Sequence, residues 1–497
     1  MVVATGIPEA ARGFLAGSEK RLWIDNGYVD ATSDETITAY NPADGSALGV
    51  VQEASSADVD RAVVAAQAAF DGEWGAMTPD DRGRILWRIS ELVEANLEEL
   101  ATLETLNNGK PIVAARRDDI PNVAAMFRYY AGWATKIEGK SLPVSSGNFL
   151  AYTRHEPIGV CAGIIPWNYP LMMAGWKLAP ALACGNTMII KPAEQTPLSM
   201  LRLAELLAEA GLPAGVVNVL NGMGETTGDA LVRHPGIEKI AFTGSADVGR
   251  LIVQNSTGNL KRVSLELGGK SPNVFFEDAP ADRVDGALWG IFYNMGQDCT
   301  AGSRLFVQNG IYDEILSGLV EGARALKVGP GLDETTDIGP LVTREQTERV
   351  LGYLTVGADE GHVPVGGGRA TVPGYEDGNF VQPSVIADTT NDARVAQEEI
   401  FGPVVVALPF KDEDELVRKA NDTVYGLGAA VWSSNAKRAH RVAHRIKAGT
   451  VWINHYGAGD VSVPFGGFKQ SGHGREMGQY ALELYTEVKS VIANLDD

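Results

Sequence analysis

The chain has 497 residues, of which 45% are hydrophobic and 21% are charged, and its formal net charge is −21. This length exceeds one ordinary core, so we expect two or three lobes, and the composition is that of a globular chain, not a disordered one. The acidity excludes nucleic-acid binding as a function, because that class needs a basic face to neutralise phosphates.

Three cysteines, Cys161, Cys184 and Cys299, are too few and too scattered for a disulfide framework, and none lies in the paired spacing of a zinc site. We therefore expect a reducing compartment, the cytoplasm, and no bound metal. The N-terminal residues lack the basic segment and continuous apolar core of a secretory signal.

The segment before about residue 130 is rich in helical patterns, as in ILWRISELVEANLEELATLE. The apolar stretch 170–190 is long enough to span a membrane, but Lys177, Pro180, Gly185 and Asn186 interrupt it. A lysine near a bilayer centre costs about 2.5–3.5 kcal/mol. The stretch therefore predicts a buried helix that runs into a strand, with no membrane association.

Strand and helix patterns alternate through the middle of the chain, which indicates βαβ units and a parallel sheet. The predicted strands are 187–191, 215–220 and 239–244, and the predicted helices are 197–211, 227–234 and 246–256. Ligands bind at the carboxyl ends of such strands, where Lys191, Gly222 and Gly244 fall. A second alternating region begins near residue 271 and runs beyond residue 401, with strands at 273–276 and 403–410.

Cys299 lies in NMGQDCTAG (294–302). A lone cysteine in a long chain is commonly a small core residue. Here glycines and polar residues surround it, which indicates an exposed turn. Asp298 complicates a reactive thiol, because a nearby anion raises the pKa of a thiol.

Glu266 and Asn168 each have two interpretations. Glu266, in VSLELGGKSPNVFF (263–276), is either a capping or salt-bridged glutamate or a partly buried carboxylate whose raised pKa suits a general base. Asn168, in GIIPWNYP (163–170), is either a turn residue or a side-chain amide that donates to a developing oxyanion.

The dinucleotide signature is weak. Gly222, Gly224 and Gly228 have the spacing GxGxxxG, one residue longer than the usual pattern, and TGSADVG (243–249) offers a second helix start for a pyrophosphate. Both segments are equally compatible with ordinary turns. Glu194, just beyond a predicted strand, suits a ribose diol.

Seven motifs together carry a family resemblance: IPWNYP, IIKPAEQTP, FTGS, LELGGKSPN, GQDCTA, EEIFGPV (398–404) and PFGGFKQSGHGRE (464–476). From about Leu22 to Ile492 the chain resembles the aldehyde dehydrogenase superfamily. The resemblance implies an α/β fold with a Rossmann-like NAD-binding domain, an α/β catalytic domain, and a small β oligomerisation arm with the C-terminal tail. The corresponding ranges are 20–132 with 153–265, then 266–466, then 133–152 with 467–497.

By resemblance, the chain is an NAD-dependent dehydrogenase that forms a thiohemiacetal and then a thioester on Cys299. Glu266 would activate the deacylating water, and the Asn168 side chain with the Cys299 N–H would form the oxyanion hole. Lys177 and Glu476 match a proton relay proposed for some members. The implied cofactor-binding residues are Ile164, Ile165, Trp167, Lys191, Glu194, Gly224, Gly228, Phe242, Thr243, Gly244, Ser245, Val248, Leu267, Glu399 and Phe401.

Two segments of the chain are most similar to the aminobutyraldehyde and betaine aldehyde branches of the superfamily: PWNYPLMMAGWKLAPALACGN and YNMGQDCTAG. This similarity predicts a cationic aldehyde, such as 4-aminobutanal or betaine aldehyde, held by cation–π contacts to Tyr169, Trp176 and Tyr456. Asp119 falls at the first acid of a D-x-x-D pair found in aminoaldehyde-oxidising relatives, whereas Asn122 replaces the second. The alternative is a general aliphatic or aromatic aldehyde dehydrogenase.

Two rival classes are a CoA-acylating dehydrogenase and a catalytically silent structural relative. The first generally lacks an equivalent of Glu266, and retention of Cys299, Asn168 and Glu399 counts against the second.

The tail 482–494 alternates like a strand but has no hairpin partner in sequence. Because an unpaired apolar edge is a liability, the resemblance implies that it joins a neighbouring subunit in a dimer or tetramer.

Overall fold

The computed structural model describes residue 7, residues 9–16 and residues 19–496. The expectation that the chain starts without a secretory signal falls partly on residues 1–6, outside this range. Within it, the chain forms two large sheets and two small ones. The arrangement is the α/β architecture with a small β arm that the resemblance implies, whereas the domain boundaries given above stay a prediction.

The first large sheet is parallel through its centre, with antiparallel strands at its edges. In spatial order, its strands in the described residues are Gly472–His473, Arg262–Leu267, Lys239–Gly244, Val160–Ile164, Thr187–Lys191, Val217–Val219, Leu22–Ile24 and Gly27–Val29. Its connecting helices are Pro170–Cys184, Leu198–Glu209, Asp229–Arg233 and Ala246–Asn255. Central strands such as TMIIK are buried throughout because helices cover both faces.

The predicted elements of this sheet are confirmed to within two residues, with one exception. The helix predicted from residue 227 begins instead with a π-helical turn, Gly224–Gly228. The stretch 170–190 is the predicted buried helix followed by a strand, and Gly185, in the left-handed region at φ 92°, ends the helix. In the described residues, no helix is long and apolar enough to cross a membrane.

The second large sheet is mostly parallel. Its strands, in spatial order and within the described range, are His362–Val365, Ser384–Ala387, Val404–Phe410, Arg304–Gln308, Pro272–Phe275, Gly428–Trp432 and Thr450–Ile453. Its helices are Arg283–Phe292, Tyr312–Ala325, Arg344–Glu360, Arg394–Gln397, Glu413–Asn421 and Ala436–Arg445.

The N-terminal part supplies the helices Glu9–Leu15, Ser56–Asp71, Glu73–Ala76, Pro79–Ala95, Leu97–Asn108, Ile112–Ala114 and Ile120–Ala131, with a π-helical turn at Ala115–Asp119. A small sheet joins Glu19–Lys20, Ala47–Gln52 and Thr36–Tyr40. The arm is a second small sheet, in which Thr486–Asn494, Phe149–Pro157 and Ser141–Leu142 lie side by side.

The tail strand corrects one expectation. Thr486–Asn494 pairs antiparallel with Phe149–Pro157 of the same chain over its whole length, so the tail does have a partner within the chain. Sequence distance concealed this pairing, because more than 300 residues separate the two strands. Only the opposite edge of the tail strand has no partner in the described residues.

Candidate active site

One cavity of about 1490 Å³ is lined by the ends of strands from both large sheets. The cavity brings together most of the predicted catalytic and substrate residues and part of the predicted cofactor set. The predicted residues that line it are Trp167, Asn168, Tyr169, Trp176, Thr243, Gly244, Ser245, Glu266, Leu267, Cys299, Glu399, Phe401, Tyr456 and Glu476.

Cys299 is presented by an unusual turn. The helix Arg283–Phe292 is followed by three consecutive left-handed residues, Asn294, Met295 and Gly296, with φ of 48°, 57° and 67°. Met295 is a strained residue in this region, whereas Gly296 is required, because a Cβ there would collide with the backbone of Gly402. The turn places Cys299 at the cavity wall, where it is partly exposed.

Two hydrogen-bond donors lie beside this thiol. The Asn168 side-chain amide donates to the backbone oxygen of Gln297 at 3.0 Å, two residues before Cys299. The Cys299 N–H donates to no acceptor in the described part of the chain. From the other side, Asn108 donates to the backbone oxygen of Trp167 at 2.6 Å and fixes the segment that carries Asn168.

The structure shows where Asp298 points. One carboxylate oxygen accepts hydrogen bonds from the Thr300 N–H and hydroxyl, both at 2.7 Å, and the other accepts from the Tyr169 hydroxyl at 2.8 Å. Burial, followed by the Asp298 carboxylate, raises the pKa of the Cys299 thiol well above its usual value. The resting thiol is therefore protonated, and a base must remove its proton before it can attack.

Glu266 is the carboxylate suited to that task. It is 4% exposed at the end of the strand Arg262–Leu267, and neither of its oxygens has a hydrogen-bond partner in the described residues. Burial is the main cause that raises its pKa well above the ordinary value. The nearby Glu476 adds to this effect, and Lys177 opposes it.

Lys177 and Glu476 form a buried ion pair. The Lys177 ammonium donates to Glu476 at 2.8 Å and to the Thr243 hydroxyl at 2.6 Å. Glu476 lines the cavity, and Lys177 lies beneath it in the helix Pro170–Cys184. The pair thus connects the cavity wall to the interior of the first sheet.

The expected cofactor fits the residues along this sheet. Lys191, at the end of its strand, donates to Glu194 at 3.4 Å, and Gly228 packs against the Lys191 side chain. Ser245 caps the helix Ala246–Asn255 through the Val248 N–H, so the first N–H groups of that helix stay available for a pyrophosphate.

The nicotinamide end of the proposed groove is equally well defined. Glu399 accepts a hydrogen bond from the Gly269 N–H at 3.0 Å and lies directly over Gly268, where a Cβ would collide with it. Trp167 and Phe401 meet edge to face at 5.2 Å. The other predicted cofactor residues lie away from the cavity wall: Ile164, Ile165, Lys191, Glu194, Gly224, Gly228, Phe242 and Val248.

The prediction that Asp119 contacts substrate is wrong. Asp119 is fully buried away from the cavity and forms an ion pair with Lys110. Within the segment 117–125, the cavity is lined by Arg117, Asp118, Pro121, Asn122 and Ala125, whose spacing is that of one helical face. Asp119 lies about 100° around the helix from Asp118 and therefore points into the core.

The three predicted aromatic residues line the cavity, and each of them already interacts with another residue of the chain. The Lys110 ammonium lies 4.2 Å from the ring centre of Tyr169. Trp176 donates to Asn122 at 2.9 Å, and Tyr456 donates to the Thr300 backbone oxygen at 2.6 Å. Sequence reasoning assigned no role to several other lining residues, among them Asp118, Trp289, Tyr293 and Phe465, although Tyr293 and Phe465 lay in quoted motifs.

Comparison with known proteins decides the family. The aldehyde dehydrogenase family model matches residues 28–491. The chain belongs to the aldehyde dehydrogenase family. It is 49% identical to human retinal dehydrogenase 2 over 480 residues, covering 96% of this chain and 92% of the relative.

Solved structures agree with this assignment. An NAD⁺ complex of an aldehyde dehydrogenase from Bacillus cereus superposes with a TM-score of 0.96 at 48% identity, covering 98% of this chain and 99% of that one. A betaine aldehyde dehydrogenase from Staphylococcus aureus gives 0.95 at 38% identity, covering 99% and 97%. This aldehyde dehydrogenase therefore has the fold expected from the sequence, and it is an NAD-dependent enzyme.

Proposed function

We propose that this aldehyde dehydrogenase oxidises aldehydes with an uncharged aliphatic or aromatic chain to carboxylic acids, through a thioester on Cys299. The observation that carries the proposal is the arrangement around the thiol. Cys299 lies in one cavity with the Asn168 amide, with its own N–H, which donates to no other residue in the described range, and with the Glu266 carboxylate, which has no hydrogen-bond partner there. These are the groups that acyl chemistry on a thiol requires.

In the first half-reaction, Glu266 accepts the proton of Cys299, and the thiolate attacks the aldehyde carbon. The Asn168 amide and the Cys299 N–H stabilise the resulting oxyanion, and one such donor contributes about 3–4 kcal/mol. NAD⁺, when bound, would supply the acceptor for the hydride that leaves the substrate carbon. Lys191 and Glu194 would hold its adenosine ribose, and Glu399 with Phe401 would position its nicotinamide end.

The proton taken from Cys299 must leave Glu266 before the second half-reaction begins. Glu266 then removes a proton from water, which attacks the thioester, expels the Cys299 thiolate and releases the acid. Glu476 and Lys177 are charged groups whose fields act on Glu266, so we propose that the Glu476 carboxylate, paired with Lys177, receives each of these protons.

Two observations support an uncharged substrate. The cation–π site predicted at Tyr169 is already occupied by Lys110, and the acid predicted to assist it, Asp119, is neutralised by the same lysine. The identity to a retinal dehydrogenase, 49%, also exceeds the identity to the betaine aldehyde enzyme, 38%.

An aminoaldehyde such as 4-aminobutanal is the second candidate, favoured by one specific feature. The Asp298 carboxylate lines the cavity and makes no ion pair with any residue in the described range. A substrate ammonium group would find an uncompensated charge there.

A panel of butanal, benzaldehyde, 4-aminobutanal and betaine aldehyde, followed by NADH absorbance, tests the proposal. We expect butanal and benzaldehyde to exceed both cationic aldehydes in kcat/KM, and Cys299→Ala to have no turnover with any of them. A preference of threefold or more for 4-aminobutanal over butanal would instead establish the second candidate.

We also propose that the enzyme is a cytoplasmic homodimer or homotetramer. Free cysteines fit a reducing compartment, and the small sheet that contains the tail carries exposed apolar side chains. Phe149, Leu150, Val488 and Ile492 form part of that surface, which a second subunit would cover.

A further inference from the structure

Three aspartates, Asp118, Asp119 and Asp298, lie near one another, and the structure distinguishes Asp298 by its charge balance. Asp118 is paired with Arg117 and accepts from the Tyr293 hydroxyl at 2.7 Å. Asp119 is paired with Lys110. Asp298 receives hydrogen bonds only from neutral donors and forms no ion pair with the residues that the structure describes.

We propose that Asp298 determines the charge selectivity of the enzyme by excluding aldehydes that carry a carboxylate near the reacting group. The inference rests on the proposed function of the Cys299 site and names a substrate class that the site rejects. The uncompensated carboxylate lies next to Cys299 in sequence and lines the same cavity, so any substrate that reaches the thiol passes close to this negative charge.

The carboxylate is also unable to turn away from an incoming anion. Thr300 holds one of its oxygens through two hydrogen bonds and Tyr169 holds the other. The Lys110 ammonium lies over the ring of Tyr169. Neutral donors of this kind orient a carboxylate but leave its net charge in place.

The other charged groups around the cavity do not pair with Asp298. The Arg117 and Lys110 cations are taken by Asp118 and Asp119, and the Lys177 ammonium is taken by Glu476. Of the two other arginines that line the cavity, Arg250 is paired with Asp247 and Arg349 donates to the backbone oxygen of Glu399. A substrate carboxylate that approaches Cys299 therefore meets the charge of Asp298, which has no ion-pair partner in the described residues.

Two alkylating reagents test this without any knowledge of the natural substrate. Iodoacetate and iodoacetamide have nearly the same shape and differ in charge, and both react with the same thiolate, so their rate ratio cancels changes in the pKa of Cys299. In the wild-type enzyme, we expect the ratio of iodoacetate to iodoacetamide rates to be at least tenfold below the ratio for N-acetylcysteine. Cys161 and Cys184 are buried, and mass spectrometry identifies the labelled residue.

The variant series assigns the effect to one side chain. Asp298→Asn, which is isosteric, should raise the iodoacetate ratio by roughly ten- to hundredfold. Asp298→Asn should also raise the ratio of kcat/KM for succinic semialdehyde to kcat/KM for butanal by roughly ten- to hundredfold. Asp460→Asn removes a different acid from the cavity wall, so it should leave the two ratios within about threefold of wild type.

The outcomes separate the two proposals. A wild-type rate ratio equal to that of N-acetylcysteine would overturn the role of Asp298, as would an equal effect of Asp460→Asn and Asp298→Asn. Failure to oxidise butanal would count only against the proposed function, because the alkylation ratio does not depend on it.

Discussion

The Lys177 ammonium and the Glu476 carboxylate meet at 2.8 Å in the interior, and they act on Glu266 in opposite directions. Glu476 raises the pKa of Glu266, and Lys177 lowers it. Because Glu266 must be ionised to act as a base, turnover should rise with pH as Glu266 loses its proton.

Substituting Glu476 or Lys177 should therefore shift, in a direction that can be predicted, the pH at which turnover rises. Glu476→Gln removes the anion, lowers the pKa of Glu266 and shifts the ascending limb of the kcat–pH profile to lower pH. Lys177→Met removes the cation and shifts the limb to higher pH. Each variant also leaves one buried charge unpaired, at a cost of about 3–5 kcal/mol in unfolding free energy. Shifts in the same direction for both variants would contradict the proposed coupling.

Glu266→Gln removes the base proposed for both half-reactions. An amide cannot activate water, so we expect kcat to fall by about 10²–10⁴-fold. If hydride transfer still proceeds at a measurable rate, a thioester on Cys299 accumulates, and intact-protein mass spectrometry detects the added acyl group. Wild-type turnover in this variant would remove Glu266 from the mechanism.

Glu194→Ser should weaken the discrimination against NADP⁺. The Glu194 carboxylate can accept hydrogen bonds from a ribose diol but repels a 2′-phosphate, and its removal also frees the Lys191 ammonium that it now engages. We expect kcat/KM for NADP⁺ to rise at least tenfold relative to NAD⁺. Glu225→Gln, at a second acid whose field acts on Lys191, is the matched control and should change the ratio much less.

Charged side chains on the exposed face of the tail strand should weaken the assembly of subunits. Val488 and Ile492 lie on the same face of Thr486–Asn494 and are 59% and 65% exposed. Val488→Lys combined with Ile492→Lys should reduce the mass measured by light scattering to that of a smaller species, with NADH production as a check on folding. An unchanged mass, or a monomeric wild-type enzyme, would show that this face is not an interface.

The parallel strands of the first sheet were predictable because helices cover both of their faces, which favours apolar residues at their centres, as at Met188, Ile189 and Ile190 in TMIIK. Glu266 was predictable as a buried carboxylate because leucines flank it and glycines follow it. These features depend on the order of residues over a few neighbouring positions, which can be read from the sequence alone.

Contacts between residues far apart in sequence, and the side of a helix that faces the cavity, were not predictable in the same way. Asp119 and Asp118 are adjacent in sequence, yet one faces the core and the other the cavity, and nothing in a four-residue motif fixes that rotation. The pairing of Tyr169 with Lys110 and the left-handed turn at Met295 likewise depend on neighbours distant in sequence or on strain that the surrounding fold imposes.

The separation of Lys177 from Glu476 by 299 residues has a consequence for biosynthesis. At typical translation rates, roughly 15–60 s pass between the appearance of the lysine and that of its partner. Asn186, which follows the Lys177 helix, likewise waits for the backbone oxygen of Tyr485. Until Glu476 leaves the ribosome, Lys177 lacks its counterion, so the emerging chain must keep the helix Pro170–Cys184 open to water, bury the lysine uncharged or be shielded by a chaperone.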